Sequence, residues 1–297
     1  LSAAFTNSME LVNEKLAVGL CCGKEICYTE KLYKQGKAFK SAKEELQMQN
    51  QPLAFFSVYD ADKTDQVREF ARFLVNHGIG IASSGGTCRF LTKGGVPAID
   101  VSQLVIDSQV VLLQKVLRQL GQGELKSEEI AIALRAADPN LGGEILGGRV
   151  KTLRPEVLAG ILAQDNPNDS RQMDEAGYRV FNLVFVTLYP FARVVADPSS
   201  THAKIVENID VGGVNLLHAC SKGYDRGTDG RIPICDAADI PEVMHRLQNN
   251  SLDKQYLRDL AAKAQAHLAN YHVAISEYFG QGEYVGWVGE RVQRLGY

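Results

Sequence analysis

The chain has 297 residues, 45% of them hydrophobic and 23% charged, with a formal net charge of -3. A chain of this size buries enough apolar surface to fold as one large domain or two small ones without disulfide or metal staples, and its slight acidity argues against a broad nucleic-acid footprint. No run of about 18 apolar residues occurs, so no membrane-spanning helix is expected. Six cysteines (Cys21, Cys22, Cys27, Cys88, Cys220 and Cys235) form no CxxC pair. They read as reduced thiols of a reducing compartment: the cytoplasm, or an organelle matrix if a leader preceded Leu1. The Cys21–Cys27 cluster has no fourth ligand nearby and no zinc spacing. The histidines, His77, His202, His218, His245, His267 and His272, lack metal-site spacing and read as packing or surface residues.

In chain order, residues 1–52 are rich in Lys, Glu and Gln and read as a partly helical extension, or a solvated arm. The main domain opens at Leu53. The apolar run Leu53 to Val58 predicts a buried parallel strand. Val67, Phe70, Ala71 and Leu74 then share one helical face, closed by His77-Gly78. Ile79–Ala82 predicts a second strand, Ser84-Gly85-Gly86-Thr87 a turn into a helix through Phe90 and Leu91, and Pro97–Val101 a third strand. This alternation indicates βαβ units and a mostly parallel sheet. Residues 104–143 break the rhythm: Val110–Leu120 has helical spacing, and Ser127 is a candidate cap for a second helix. Val180–Leu188 and Ile232–Cys235 predict further strands. Ile209 to Gly213 leads into a helix carrying Leu216, Leu217 and Cys220. Ser251 is the expected cap of a long helix reaching about Phe279, with Leu257, Leu260, Ala264, Leu268 and Tyr271 as its apolar stripe.

Three segments carry chemistry. Ser84-Gly85-Gly86-Thr87 lies between a strand and a helix, where backbone N–H groups and hydroxyls cradle anions. Alone it is a weak signal, since small polar residues before a helix are more often a turn. Lys63, beside Ser57 in the preceding strand's loop, could add the full charge the cradle lacks; on spacing alone it is a surface lysine. In Gly147-Gly148-Arg149-Val150-Lys151-Thr152, an extended loop would project Arg149 and Lys151 to the same side. Asp210-Val211-Gly212-Gly213 is an acid-plus-glycine turn, with Lys222 nine to ten residues beyond its glycines.

These pieces, in this order, resemble the cyclohydrolase domain of the bifunctional purine-biosynthesis enzymes that join it to an aminoimidazole-carboxamide ribotide transformylase. The matching segments are LAFFSVYDADKT, SSGGT, GGRVKTLRP with AGILA, FNLVFVTLYPF, ENIDVGGVNLLHACSK and YHVAISEYF, running from Leu53 to about Tyr297. The resemblance implies a methylglyoxal-synthase-like fold: α/β, a doubly wound mostly parallel sheet, here with a helical N-terminal extension (1–52) and a helical insertion at about 104–143 within a domain spanning 53–297. It implies closure of 5-formamidoimidazole-4-carboxamide ribotide to inosine monophosphate with loss of water. Carried over by motif, Ser57, Lys63, Ser84, Gly86 and Thr87 would hold the 5′-phosphate. Arg149, Lys151, Thr152, Asp210 and Gly212 would surround base and ribose, and Thr187, a further candidate for substrate binding, stands where the family usually has Asn, keeping a hydroxyl but losing the amide. Lys151, Tyr189, Lys222 and Asp210 are the candidates for proton transfer and oxyanion stabilisation. No metal or organic cofactor is implied. The family pattern suggests a homodimer, and the extension and the insertion are candidate partner surfaces.

The sequence departs from the family at several places. Arg154 replaces the His of KTLHP, Leu158 the His before AGIL, His218 an Arg and Gly223 an Asn. The first loop carries extra residues around Ala61 and Asp62, and about forty residues are inserted between Val101 and Glu144. Arg294-Leu295-Gly296-Tyr297 fall near the expected linker to the transformylase domain. An active cyclohydrolase is the first reading. A former enzyme domain serving as a structural subunit, and a ribotide sensor without turnover, are the alternatives from other classes. Bound phosphate at Ser84–Thr87 separates binding from structural use, and a turnover assay separates binding from catalysis.

Overall fold

A computed structural model describes residues 52–123, 125–143, 145–226, 230–281 and 283. The helical extension expected over 1–52 lies outside the described residues but for Pro52, as does the Cys21–Cys27 cluster. Five strands form one all-parallel sheet: β1 (Leu53–Ser57), β2 (Gly80–Ser83), β3 (Ile99–Asp100), β4 (Phe181–Val186) and β5 (Ile232–Ile234), in the order β3-β2-β1-β4-β5. The chain winds outward from β1 through β2 to β3, then returns to lay β4 on the other side of β1. The order thus reverses between β1 and β4, the point at which such sheets bind ligands beyond their carboxyl ends.

Alternation of side chains sends Phe55, Val184 and Val186 to one face and Phe56, Leu183 and Phe185 to the other. Both faces are covered, as parallel strands require. Helices α1 (Asp65–Asn76) and α2 (Gly85–Lys93) connect β1 to β2 and β2 to β3. On one face, Val67, Phe70, Leu74 and Leu91 pack around Phe56, together with Val243 of α10 (Ile240–Gln248). On the other face pack α5 (Pro155–Leu162), α9 (Gly212–Lys222) and the later part of α11 (Lys254–Gly280), through Val157, Ile161, Leu216, Leu217, Ala264, Leu268 and Tyr271. Short helices α6 (Pro167–Ala176), α7 (Phe191–Ala196) and α8 (His202–Glu207) complete this part.

The chain divides into two compact units. The larger takes in Gln51–Leu112 and Gly142–Tyr297, and the smaller includes Leu113–Leu141. Helix α3 (Val101–Gln119) begins in the larger unit and ends in the smaller, which also holds α4 (Ser127–Ala137). Within the smaller unit, Gln114 Nε2 donates to Ser127 Oγ at 3.0 Å, and the Glu129 carboxylate accepts the Lys126 N–H at 2.9 Å. Among the described residues no helix is long and apolar enough to cross a membrane.

Strands β1, β2, β4 and β5 differ from the sequence-based expectation by one or two residues at an end, and three further boundaries differ as well. The third strand covers only Ile99–Asp100: Asp100 Oδ1 accepts the Ser102 N–H at 2.9 Å and turns the chain straight into α3. The residue before α4 is Lys126, with Ser127 already inside the helix. Helix α11 is capped by Asp253, whose carboxylate accepts the Tyr256 N–H at 2.8 Å, two residues after Ser251.

Candidate active site

The first wall of the site is the start of α2. Strand β2 ends at Ser83, and the extended backbone of Ser84 leads into Gly85. Helix geometry leaves the N–H groups of Gly85, Gly86 and Thr87 without intrahelical acceptors, at the positive end of the dipole. A β-carbon placed on Gly86 would lie 3.2 Å from Lys63 Nζ, so the lysine ammonium sits directly over this first turn. Lys63 itself is only 12% exposed and is ion-paired with the well exposed Asp60. The Lys63 bond and charge hold the Asp60 carboxyl below its usual range, with smaller contributions from Lys151 and Arg89. Lys63 is therefore the cation at the first turn of α2, with Asp60 as its ion-pair partner, and Lys151 and Arg89 lie within electrostatic reach of that acid.

Thr87 and Thr187 are fasteners. The buried Thr87 hydroxyl accepts the Val58 N–H at 3.1 Å and lies 3.3 Å from the Val58 carbonyl, tying α2 to the loop after β1. Thr187 spans the reversal point. Its N–H donates to the Ser57 carbonyl at 3.1 Å, and its hydroxyl accepts the Tyr59 N–H at 2.8 Å. Ser57 is half-buried at the end of β1, and Ser84 is buried. The Tyr59 and Tyr189 rings meet at 5.7 Å above this junction.

The second wall is the glycine loop before α5, and here the extended path expected from the sequence is not what forms. Gly147 and Gly148 adopt φ of 67° and 88°, which favours glycine, and Arg149 is right-handed helical at φ -64°, ψ -24°. The loop coils, so Arg149 and Lys151 do not project together. Arg149 is 62% exposed and makes a two-pronged pair with Glu207 at 2.8 and 3.1 Å, plus a bond to the Leu146 carbonyl at 3.0 Å. Lys151 is half-buried and lies within electrostatic reach of both Asp60 and Asp210. Thr152 is buried, and its hydroxyl occupies the space a side chain at Gly212 would need. Arg154 is tied to the Gly143 carbonyl at 2.6 Å.

Asp210 supplies the acid. Burial pushes its carboxyl above the ordinary range, against the N–H bonds from Gly213, at 2.7 Å, and from Tyr189, and against the charge of Lys151. Only glycine fits at position 213, where a β-carbon would stand 2.7 Å from Asp210 Oδ2 and 2.9 Å from Val186 and Leu188. Tyr189, 37% exposed, joins Asp210 through its main chain.

The structure thus brings together Lys63, Gly86, Thr87 and Ser84 at one wall, and Thr152, Gly212, Asp210 and Tyr189 at the other, with Lys151 electrostatically linked to both. It does not bring Lys222 to them. Lys222 is exposed at the last turn of α9, ten residues from Gly212, which is about 15 Å along the helix axis. Arg149 is held outward by Glu207. Sequence reasoning missed Asp60, Tyr59, Arg89 and Tyr271, because nothing in local spacing separates them from surface or core residues. A groove of about 700 Å³ opens beyond the carboxyl ends of β4 and β5, lined by Thr64, Thr187, Tyr189, His267, Asn270 and Tyr271 among others. Among the described residues, no group of three or more His, Cys, Asp or Glu is placed to hold a metal ion.

A five-stranded parallel sheet covered by helices on both faces, with a lysine over the start of α2 at one wall and a half-buried acid at the other, defines an α/β domain. Residues 66–215 match the model of the MGS-like domain family, and the chain belongs to that family. It is 32% identical over 229 residues to the bifunctional purine biosynthesis protein PurH of Staphylococcus saprophyticus, covering 77% of this chain and 39% of the relative. It is 34% identical over 230 residues to PurH of Staphylococcus aureus strain USA300, with the same two coverages. The chain therefore spans about two fifths of the length of these curated relatives. A solved structure titled "Crystal structure of ForH" is similar at a TM-score of 0.55 and 27% identity, over 78% of this chain and 100% of that one.

Proposed function

We propose that the chain is an inosine-monophosphate cyclohydrolase, closing 5-formamidoimidazole-4-carboxamide ribotide with loss of water. One observation carries the reading: Asp60, ion-paired with the Lys63 ammonium over the first turn of α2, and the half-buried Asp210 on the Thr152–Gly212 wall both lie within electrostatic reach of Lys151, in a chain about one third identical to PurH. In this reading the 5′-phosphate sits on the N–H groups of Gly85, Gly86 and Thr87, and Lys63 leaves Asp60 to pair with it.

The chemistry needs little beyond positioning. The carboxamide nitrogen attacks the formyl carbon and gives up a proton as the C–N bond forms. The formyl oxygen becomes anionic and takes up that proton; as its C–O bond breaks, the formamide nitrogen gives up its own proton and forms the ring C=N bond, and the oxygen leaves with the second proton as water. Both reacting groups sit on one ring, so proximity is already present. Lys151 faces the developing oxyanion, where one donor contributes on the order of 3 kcal/mol. Asp210, raised above the ordinary carboxylate range by burial, is suited to exchanging the amide proton. Thr187, Thr87 and Ser57 hold the walls, and Arg149 joins only if it exchanges Glu207 for ligand.

The test is an absorbance assay with the formylated ribotide and the Lys151→Ala variant. Turnover is expected in the wild type, with kcat/KM lower by roughly 10²-fold or more in the variant. Well-folded wild-type protein that forms no inosine monophosphate would overturn the proposal. Full turnover in the variant would remove Lys151 from it.

A further inference from the structure

Tyr271 ends the buried stripe of α11 and is 9% exposed. Its ring meets Phe191 edge to face at 6.1 Å. Its hydroxyl leaves the core and reaches the turn before α9. There it accepts the Asp210 N–H at 2.7 Å and donates to the Asn208 carbonyl at 3.2 Å. Both main-chain groups belong to the residues that aim Asp210, whose carboxylate then accepts the Gly213 N–H and the Tyr189 N–H. A single phenol thus fixes the backbone from which the acid projects, and the acid fixes the start of α9 and the β4 loop. A phenylalanine would fill the core equally well but would leave the Asp210 N–H and the Asn208 carbonyl without this partner. The hydroxyl is therefore not explained by packing.

We propose that Tyr271 is a positioning residue for Asp210, holding the 208–210 turn so that the carboxylate stays buried at the reaction end of the sheet; the catalytic readout of this proposal rests on the cyclohydrolase reading. Burial pushes the Tyr271 phenol up to about 12, with the charges of Asp210 and Tyr189 adding to it, so the hydroxyl stays protonated and keeps donating throughout any assay range. The charged or titratable groups coupled to Asp210 are Lys151 from the glycine loop and the Tyr271 phenol from α11, to which the Tyr189 phenol is coupled in turn; Tyr189 itself reaches Asp210 through its main-chain N–H.

The experiment compares the full chain with Tyr271→Phe, Asp210→Asn and the double variant, on turnover and on amide hydrogen exchange. Tyr271→Phe is expected to lower kcat about tenfold with KM within about twofold. It also shifts the acidic limb of the pH profile downward, because a loosened turn lets water reach the carboxylate and relieves the burial that raised it. Added to Asp210→Asn, Tyr271→Phe is expected to cost nothing further in kcat, since the two act as one unit. Exchange at the Gly213 and Tyr189 amides is expected to quicken by about tenfold or more in Tyr271→Phe. An unchanged kcat and pH limb, or fully additive losses, would overturn the assignment even if melting temperature falls. Should the wild type form no inosine monophosphate, the cyclohydrolase reading fails alone. The exchange arm then decides: unchanged Gly213 and Tyr189 amides sink the positioning role, and quickened ones sustain it.

Discussion

At the scale of single residues, the site contains a carboxylic acid kept where the fold would prefer a neutral group. Asp210 has its folded-state pKa raised, above all by burial. The native protein therefore holds that proton more tightly than the unfolded chain. Stability falls as pH rises from the unfolded value, about 4, through the folded value, and the full penalty applies above it. Asp210→Asn removes the charge while keeping an acceptor for the Gly213 N–H. Its melting temperature at pH 7 is expected to equal or exceed that of the wild type, and the advantage is expected to disappear below about pH 4. In the same variant kcat is expected to fall by roughly 10²-fold. Thermal melts at the two pH values, set beside the turnover assay, check both halves. A variant that loses stability at pH 7 would show that the carboxylate is a structural asset.

At the scale of elements, α5 shows how neighbours override propensity. Gly160 sits inside this helix, where alanine is ordinarily favoured by about 1 kcal/mol. Here a β-carbon would meet the Arg179 carbonyl and stand 2.6 Å from the Phe181 ring. Gly160→Ala is therefore expected to destabilise by about 1–3 kcal/mol, the range for overpacking, measured by urea denaturation. The far end of α5 is held by two arginines. Arg226 donates to the carbonyls of Ile161, Leu162 and Ala163, and Arg231 to those of Ile161 and Ala163, at 3.3 and 2.9 Å. Neither arrangement is visible in sequence, because each depends on a segment tens of residues away.

What was legible follows the same division. Strands β1, β2, β4 and β5 show as short apolar runs, since a sheet covered on both faces needs no polar side. Helices α1 and α11 show because their buried residues keep helical spacing. The glycine loop before α5 misled, because two glycines permit extension and coiling alike, and only contacts such as Arg149 with Glu207 decide. Family motifs nominated both Lys63 and Lys222. The sheet topology lays the first over α2, whereas the length of α9 carries the second away. Tyr59 and Asp60 were silent, since a loop's aromatic and acid acquire meaning only when β4 arrives beside β1.

At the scale of the whole molecule, one core cluster seals two of the thiols, Cys220 and Cys235. Cys220 is fully buried in α9, and burial pushes its thiol up to about 12; Cys235 at the end of β5 rises to about 11 for the same reason. Neither offers thiolate at neutral pH. Site-resolved alkylation followed by mass spectrometry is expected to label Cys220 only at the rate of global unfolding, at least 10³-fold slower than a free thiol. Rapid labelling of Cys220 in native buffer would mean that α9 opens independently of the sheet.

The placement of β4 has a temporal consequence. Strand β1 pairs residue for residue with β2, some 27 positions later, but its other partner lies about 130 positions on, as in Phe56 with Ser83 and with Phe185. Closing so long a loop costs entropy before any contact repays it. During synthesis the β1-β2 pair can form while β4 is still unmade, leaving one side of the central strand, with Phe55 and Phe56, unpartnered for several seconds at ordinary elongation rates. The junction between Tyr59 and Thr187 thus waits for the 128 positions that separate them, and the nascent chain spends that interval with an exposed strand edge for which chaperones compete.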